Sequence, residues 1–254
     1  MAITIKSERE IELMAEAGKI LERVHNELEK ALHPGMSTKD IDTLGEKIIR
    51  SYGCIPSFLN YNGYPASICV SVNQEVVHGI PDKHRIIHEG DIVSLDAGVI
   101  YKGYHSDAAR THAVGEVSEE AKKLIQVTKE CFFEGIKYAK AGNHLFDISG
   151  AIGRYAEERG YGVVRDLCGH GIGTALHEAP EIPNYEVGRK GVKLRPGMTL
   201  AIEPMINIGT YEVDWLDDDW TVVTRDGSLS AHYENTILIT DGEPRILSLT
   251  CDNE

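Results

Sequence analysis

The two halves of this 254-residue chain repeat one pattern, and the repeat constrains the fold more than any other feature of the sequence. In the first half, Gly90 begins a mainly apolar run that ends six residues later at Asp96. In the second half, Gly197 begins a similar run that ends six residues later at Glu203. Because an ionised carboxylate is costly to bury without a partner, both acids are expected to face a common polar centre.

A His-Gly-Ile triplet also occurs once in each half, at residues 78–80 and 170–172. We interpret the repeat as an internal duplication; the alternative is chance similarity of short motifs. Residues 1–254 then form a single domain of two halves, roughly 1–115 and 116–254, related by a pseudo-two-fold axis. A site between such halves takes ligands from both.

Local patterns predict an α+β chain in which each half contains two helices followed by strands. Apolar residues at helical spacing, with start and stop signals, predict the helices. Short apolar runs and a Lys102-Gly103 turn predict the strands. The predicted helices span residues 7–32, 37 or 38 to about 53, 118–140 and 145–159, and the predicted strands span 67–72, 91–101, 104–114, 198–203, 221–224 and 232–239.

Composition restricts the partners and the compartment. The formal net charge of −14 argues against nucleic acid or an anionic membrane as the main partner. No apolar run approaches the roughly 20 residues that span a bilayer, and the N-terminus does not have the pattern of a secretory signal. Five cysteines without a C-x-x-C pair favour reduced thiols, so a cytoplasmic protein is expected.

Five side chains of metal-binding type are the strongest functional signal: Asp96, Asp107, His170, Glu203 and Glu234. Asp96 and Asp107 lie eleven residues apart around the predicted turn, so a hairpin brings them together. Four carboxylates and one imidazole suit Mn, Fe(II), Co or Zn. Such a set is what a hydrolase with two metal ions requires.

Three histidines are candidates for the chemistry. His170 lies among glycines in Cys168-Gly169-His170-Gly171-Ile172-Gly173, which permits close backbone approach. His78 and His177 are secondary candidates, able to stabilise an oxyanion or hold a scissile amide. Other histidines, among them His25, His33, His84 and His88, are expected to be solvated.

In order and spacing, a set of five motifs resembles the type I methionine aminopeptidases of the short bacterial kind. The resemblance implies the pita-bread fold, in which two related halves form a curved antiparallel sheet covered by helices. It also implies removal of the initiator methionine from nascent proteins with a small second residue, by a hydroxide bound to two metal ions. The motifs are Asn60-Tyr61-Asn62-Gly63-Tyr64-Pro65, Val76-Val77-His78-Gly79-Ile80-Pro81, Asp91-Ile92-Val93-Ser94-Leu95-Asp96, Gly169-His170-Gly171-Ile172-Gly173 and Ile202-Glu203-Pro204.

The resemblance assigns roles to the candidate ligands. It implies that Asp96 and Asp107 bind one metal ion. It implies that Asp107, His170 and Glu203 bind the other, with Glu234 as the bridge. Two divalent ions, Co, Mn, Fe(II) or Zn, are therefore the expected cofactors.

The resemblance also implies catalytic and binding roles. Glu203 matches the general base, His177 the group that stabilises the tetrahedral intermediate, and His78 the contact to the scissile amide nitrogen. A methionine pocket is implied at Tyr61, Tyr64, Cys69, Leu176 and Trp220, with Phe58 at its edge, and apolar polarisable walls of this kind suit a thioether. A monovalent-cation site is implied at Asn73, Glu75 and Ser230.

The sequence departs from the family pattern in two places. Gly98 stands where many relatives have a threonine, so the support of Asp96 is expected to be weaker or supplied differently. His232 and Asn235 flank Glu234 in place of the usual glutamine and histidine, and His232 is expected to be an additional group behind the ligands.

Two other functions remain as alternatives. An Xaa-Pro peptidase of the same fold is one, although those relatives usually carry a large extra N-terminal domain. A non-catalytic pita-bread binding protein is the other, although all five candidate ligands are present. The resemblance further implies a monomer that acts on the N-terminal methionine of nascent chains and contacts the ribosome transiently.

Overall fold

The chain forms four α-helices, one short 3₁₀ helix (Tyr61–Gly63) and fifteen strands in the computed structural model, which describes residues 2–249. The α-helices are α1 (Glu8–Ala31), α2 (Thr38–Ser51), α3 (Glu119–Ile136) and α4 (Leu145–Glu157). The strands are β1 (Ile55–Pro56), β2 (Ile68–Val72), β3 (Glu75–Val77), β4 (Ile92–Tyr101), β5 (Tyr104–Ala113), β6 (Gly162–Val163), β7 (Gly169–Gly171), β8 (Glu178–Ile182), β9 (Thr199–Ile202), β10 (Met205–Asn207), β11 (Val213–Trp215), β12 (Val222–Thr224), β13 (Ser230–His232), β14 (Asn235–Leu238) and β15 (Arg245–Ile246).

Capping residues fix the N-terminal ends of α1 and α2. Ser7 and Glu10 form a capping box at α1, with the Ser7 backbone N–H donating to the Glu10 carboxylate at 2.7 Å. Ser37 and Asp40 form the equivalent box at α2. The prediction for α3 extends too far, because the chain after Ile136 tightens into turns rather than continuing the helix.

Two antiparallel sheets carry the parts of the chain that matter for the site. In the first half, β4 pairs with β1, β2 and β5, and in the second half a sheet runs in the order β15-β14-β9-β7-β8. The β4–β5 hairpin turns at Lys102 and Gly103 as predicted, both with positive φ, as a tight two-residue hairpin requires. Helices α1 and α2 pack on the first sheet.

Each half has its own apolar core. One buried cluster contains residues between Ala17 and Val114, from α1, α2 and the first sheet. A second contains mainly residues between Val117 and Ile239, from α3, α4 and the strands of the second half. Separate cores under separate helix pairs agree with the predicted duplication, although the half boundaries themselves stay a prediction. No helix within residues 2–249 is long and apolar enough to cross a membrane.

The second half differs from a simple hairpin. The predicted strand 232–239 is interrupted: β13 pairs with β10, and β14 pairs with β9. The chain changes partner at Tyr233, whose N–H donates to the Pro204 carbonyl at 3.2 Å. Glu203 and Glu234 therefore lie next to the ends of neighbouring strands, β9 and β14, but β10 to β13 separate them along the chain.

Hydrogen bonds between β5 and the Glu234 region join the two halves. Glu234 N–H donates to the Ala109 carbonyl at 3.0 Å. The Thr236 hydroxyl accepts from the Asp107 N–H and donates to the Asp107 carbonyl, both at 2.9 Å. His25, expected to be solvated, is instead buried under this region, with Nε2 2.8 Å from the Ala108 carbonyl.

Candidate active site

The first two candidate ligands share one face of the β4–β5 hairpin. Gly98 lies opposite Asp107 and Ala109 lies opposite Asp96. Since side chains alternate along a strand, Asp96 and Asp107 point to the same side of the sheet. The Asp96 Oδ1 atom is buried without a hydrogen-bond partner.

The strands of the second half bring the other three candidate ligands to the same place. His170 on β7 pairs with Ala201 of β9, and Glu203 follows directly after β9. Asn235 pairs with Ile202, so Glu234 faces Glu203. The close approach of β7 to β9 needs a glycine beside His170, because a Cβ on Gly169 would lie 2.4 Å from the Ala201 carbonyl oxygen.

The His170 ring is oriented as a metal ligand would be. Its Nδ1 donates to the Gly171 carbonyl at 2.9 Å, which leaves the Nε2 lone pair facing inward. Nε2 lies 3.9 Å from Asp107 Oδ2 and 3.8 Å from Glu203 Oε1. Donor atoms of Asp107, His170 and Glu234 lie within 4.8 Å of one another, and so do those of Glu203, His232 and Glu234.

Burial dominates the electrostatics of this group. It raises the pKa of each of the four carboxyls, and the neighbouring acids raise those of Asp107 and Glu234 further. It lowers the pKa of His170 to about 3. Four buried acids and a neutral imidazole are costly without a cation. The donor set, with Asp96 Oδ1 and Glu234 Oε1 unpartnered, fits divalent metal ions.

One cavity of about 840 Å³ connects all thirteen predicted ligand, catalytic and pocket residues. The Tyr61 hydroxyl lies 2.7 Å from His177 Nδ1, and the His177 ring stands edge-on to His170 with centroids 4.2 Å apart. The His78 and Trp220 rings are 6.1 Å apart. His78 holds a positive φ of 60°, so its side chain is aimed by an unusual backbone conformation.

The predicted methionine pocket forms the apolar end of this cavity. Phe58, Tyr64, Cys69 and Leu176 belong to one buried cluster, against which Tyr61 and Trp220 pack. The Tyr64 hydroxyl donates to the Gly79 carbonyl at 2.9 Å, which satisfies its polar atom. Burial raises the pKa of the Cys69 thiol, so it remains an uncharged, polarisable wall.

The structure explains the glycine at position 98. A Cβ there would lie 2.7 Å from Ser57 Cβ and 3.0 Å from Phe58 Cε1. Ser57 and Phe58 therefore occupy the space that a larger residue would need. Asp96 Oδ1 has no partner, which agrees with the expected weaker support of this carboxylate.

Sequence reasoning missed several residues of the cavity wall. Phe146 and Arg189 come from segments away from the metal-type motifs, so spacing gives no signal for them. Glu178 directly follows His177, and it forms an ion pair with Lys6 at 2.6 Å. The missed wall residues also include Asp166 and Glu181.

The three positions of the implied monovalent-cation site lie close together. The Ser230 N–H donates to the Asn73 carbonyl at 2.9 Å. Asn73 has a φ of 58°, and its side chain bonds to Asp91 and to the Ile92 N–H. The Glu75 carboxylate accepts from the Val72 N–H at 2.7 Å. The site stays a prediction.

Two related halves, a central set of acids and a histidine, and the fold around them define a pita-bread metallopeptidase. The profile of metallopeptidase family M24 matches residues 12–241, and the chain belongs to this family. Within it, the chain is similar to the methionine aminopeptidase of Clostridium acetobutylicum, with 59% identity over 97% of this chain and 99% of the relative.

Solved structures agree with the fold. A methionine aminopeptidase from Thermotoga maritima superposes with a TM-score of 0.96 and 46% identity, over 98% of this chain and all of that one. An Xaa-Pro dipeptidase from Bacillus anthracis superposes with a TM-score of 0.78 and 27% identity. The match covers 97% of this chain but 62% of the dipeptidase. The predicted α+β pita-bread fold is therefore confirmed.

Proposed function

We propose that this enzyme removes the N-terminal methionine from nascent proteins whose second residue is small. One observation carries the proposal: a single cavity joins five metal-type donors to an aromatic, apolar pocket suited to a thioether. High identity to a protein named methionine aminopeptidase over nearly the whole chain supports it.

The proposed ligands divide between two divalent cations. Asp96 and Asp107 would hold one cation, Asp107, His170 and Glu203 would hold the other, and Glu234 would serve both. Bound cations of this kind lower the pKa of water and polarise the scissile carbonyl. Co, Mn, Fe(II) and Zn all suit the donors. Asn73, Glu75 and Ser230 are proposed to hold a monovalent cation.

We assign proton transfer, stabilisation of the oxyanion and binding of the scissile amide to Glu203 and to two histidines beside the ligands. Glu203 is the proposed general base, since its carboxylate lines the cavity beside His170 and the other proposed ligands, within reach of a water at the centre. The Tyr61 hydroxyl, 2.7 Å from His177 Nδ1, is proposed to donate to this nitrogen, which would place the ring proton on Nε2 for donation to the oxyanion. Burial lowers the pKa of His78 to about 4, so the neutral ring can accept from the scissile amide N–H.

The methionine side chain is proposed to occupy the pocket formed by Phe58, Tyr64, Cys69 and Leu176, with Tyr61 and Trp220 at its edges. An apolar pocket distinguishes close analogues by only about 1–3 kcal/mol per methylene. Norleucine should therefore be accepted as well.

We also propose that the protein is a cytoplasmic monomer that contacts the ribosome transiently. The four free cysteines of the described chain agree with a reducing compartment.

The test is release of free methionine from a Met-Ala-Ser peptide. The protein is stripped with a chelator and then titrated with Mn²⁺ or Co²⁺, and a Met-Lys-Ser peptide serves as the matched substrate. Metal-restored release from the first peptide alone is the expected result. Hydrolysis of Ala-Pro peptides without methionine release would indicate the Xaa-Pro alternative. Absence of all cleavage would favour a binding protein.

A further inference from the structure

His232 is a buried imidazole without a partner. Its side chain is 1% exposed, and neither ring nitrogen has a hydrogen-bond partner. Buried polar groups are normally hydrogen-bonded, so a buried ring with two unpartnered nitrogens is expected to serve a ligand.

The ring points at the metal-type donors. His232 Nε2 lies 3.6 Å from Glu203 Oε2, while the other oxygen of Glu203 lies 3.8 Å from His170 Nε2. A separation of 3.6 Å is too long for a hydrogen bond. It does suit two ligands of one ion, because donors each about 2.1 Å from a metal lie at most about 4.2 Å apart.

The donor atoms form two groups of similar composition. Asp107, His170 and Glu234 make one, and Glu203, His232 and Glu234 make the other. Glu234 is common to both, and each contains one imidazole. His232 also interacts electrostatically with Asp96.

The backbone holds His232 in this position. Its N–H donates to the Thr111 hydroxyl at 2.9 Å, and that hydroxyl donates back to the His232 carbonyl at 2.9 Å. His232 lies two residues before Glu234, as His105 lies two residues before Asp107. The two histidines differ in one respect: His105 Nδ1 is bonded to the Ser57 hydroxyl at 3.0 Å.

We propose that His232 is a sixth protein donor of the metal centre and binds, through Nε2, a cation that it would share with Glu203 Oε2 and Glu234. This inference rests on the proposed two-metal site. It gives each of the two donor groups an imidazole nitrogen, where the five predicted ligands give a nitrogen only to the group that contains His170. A nitrogen donor from His232 shifts the group that contains it toward Fe(II), Co and Zn relative to Mn.

The test is X-ray absorption spectroscopy of protein loaded with two equivalents of Zn²⁺, together with calorimetric titration of the metal. The wild type should show an average of one imidazole per zinc. His232→Gln should show about half that number and should bind the weaker equivalent at least about 10-fold less tightly. His105→Gln is the matched control, because a partnered histidine at the equivalent position should leave the imidazole count unchanged.

The outcomes separate this inference from the proposed function. Failure of the wild type to bind any zinc would remove the metal centre and this proposal with it. Two bound zinc ions with the same imidazole count in wild type and His232→Gln would overturn the role of His232 alone. If His232→Gln does not fold, ¹⁵N-histidine NMR of the zinc-loaded wild type decides: two metal-shifted ring signals support the proposal, and one overturns it.

Discussion

At the scale of single residues, burial decides what each acid can do. Glu203 has a raised pKa because it is desolvated, so without a cation its folded carboxyl is largely protonated and neutral. Glutamine has nearly the same shape and is also neutral. We therefore expect Glu203→Gln to keep the fold of the metal-free protein but to lower kcat by about 10²–10⁴-fold, the usual contribution of a general base.

The measurement is methionine release at saturating metal, with bound metal quantified for each variant, beside thermal unfolding of the metal-free forms. Glu134→Gln on α3 is a suitable control, since Glu134 pairs with Lys137 on the helix surface. Turnover near the wild-type rate in Glu203→Gln would exclude the general-base role.

Gly98 gives a second prediction at this scale. Because a Cβ there would lie 2.7 Å from Ser57 Cβ, Gly98→Ala should lower the free energy of unfolding by about 1–3 kcal/mol. The displaced Phe58 ring should also raise KM for methionine peptides. Gly242→Ala is the matched control, since a Cβ there has no neighbour closer than 4.0 Å. Equal stability of the two variants would contradict the steric argument.

Individual residues also show which features of the site can be predicted from the sequence and which cannot. Asp96 and Glu203 were predictable because a carboxylate at the end of an apolar run is costly to bury unless a cation or another partner compensates its charge. The steric role of Gly98 was not, because Ser57 and Phe58 come from a segment about forty residues earlier in the chain. The orientation of His232 likewise depends on Thr111 in the other half.

At the scale of elements, the sequence predicted the features that depend on residues close together in the chain. The Lys102-Gly103 turn fixes the β4–β5 hairpin and thereby the shared face of Asp96 and Asp107. The break between β13 and β14 was not predictable, because it depends on the hydrogen bond from Tyr233 to Pro204 between different sheets. Strands of two or three residues, such as β6, are too short to show a periodicity.

The contact between β5 and β14 gives a prediction for this scale. The Thr236 hydroxyl satisfies both the N–H and the carbonyl of Asp107. Thr236→Val should leave these groups unpaired, lower the free energy of unfolding by about 1–3 kcal/mol and weaken metal binding. Calorimetric titration with Mn²⁺ and denaturant unfolding measure the two effects.

Thr128→Val is the control for this variant. Thr128 is equally buried, but its hydroxyl donates to the Leu124 carbonyl of its own helix, away from the cavity. It should lose some stability and keep the wild-type metal affinity. Unchanged metal affinity in Thr236→Val would show that the hydrogen bonds between Thr236 and the Asp107 backbone do not position Asp107 for metal binding.

At the scale of the whole molecule, two halves with separate cores meet at a group of buried acids. Each half can pack its own helices and strands, but neither contains all the proposed ligands. Cations bound between the halves therefore stabilise the junction as well as the reaction, because binding to the folded state alone adds to its stability. The stability of the metal-free protein should consequently depend on pH.

Above about pH 7.5 the sign of this dependence is set by the acids. The buried histidines have pKa values lowered from 6.5, so above about pH 7.5 they are almost entirely neutral in both the folded and the unfolded state. Burial raises the pKa values of the acids most strongly at Asp107, Glu203 and Glu234, which keep protons in the folded state, whereas the unfolded chain releases them. Rising pH therefore favours unfolding, by about 1.4 kcal/mol per pH unit for each proton retained.

Denaturant unfolding at about pH 7.5 and about pH 8.5 should show the metal-free protein less stable at the higher pH. Saturating Mn²⁺ should remove this loss, because the cations displace the carboxyl protons, so the stabilisation by metal should be larger at the higher pH. Glu203→Gln lacks one of the titrating carboxyls and should lose less stability between the two pH values when metal-free. Equal or greater stability of the metal-free wild type at the higher pH would mean that the acids are already ionised in the fold and are held by protein groups rather than awaiting cations.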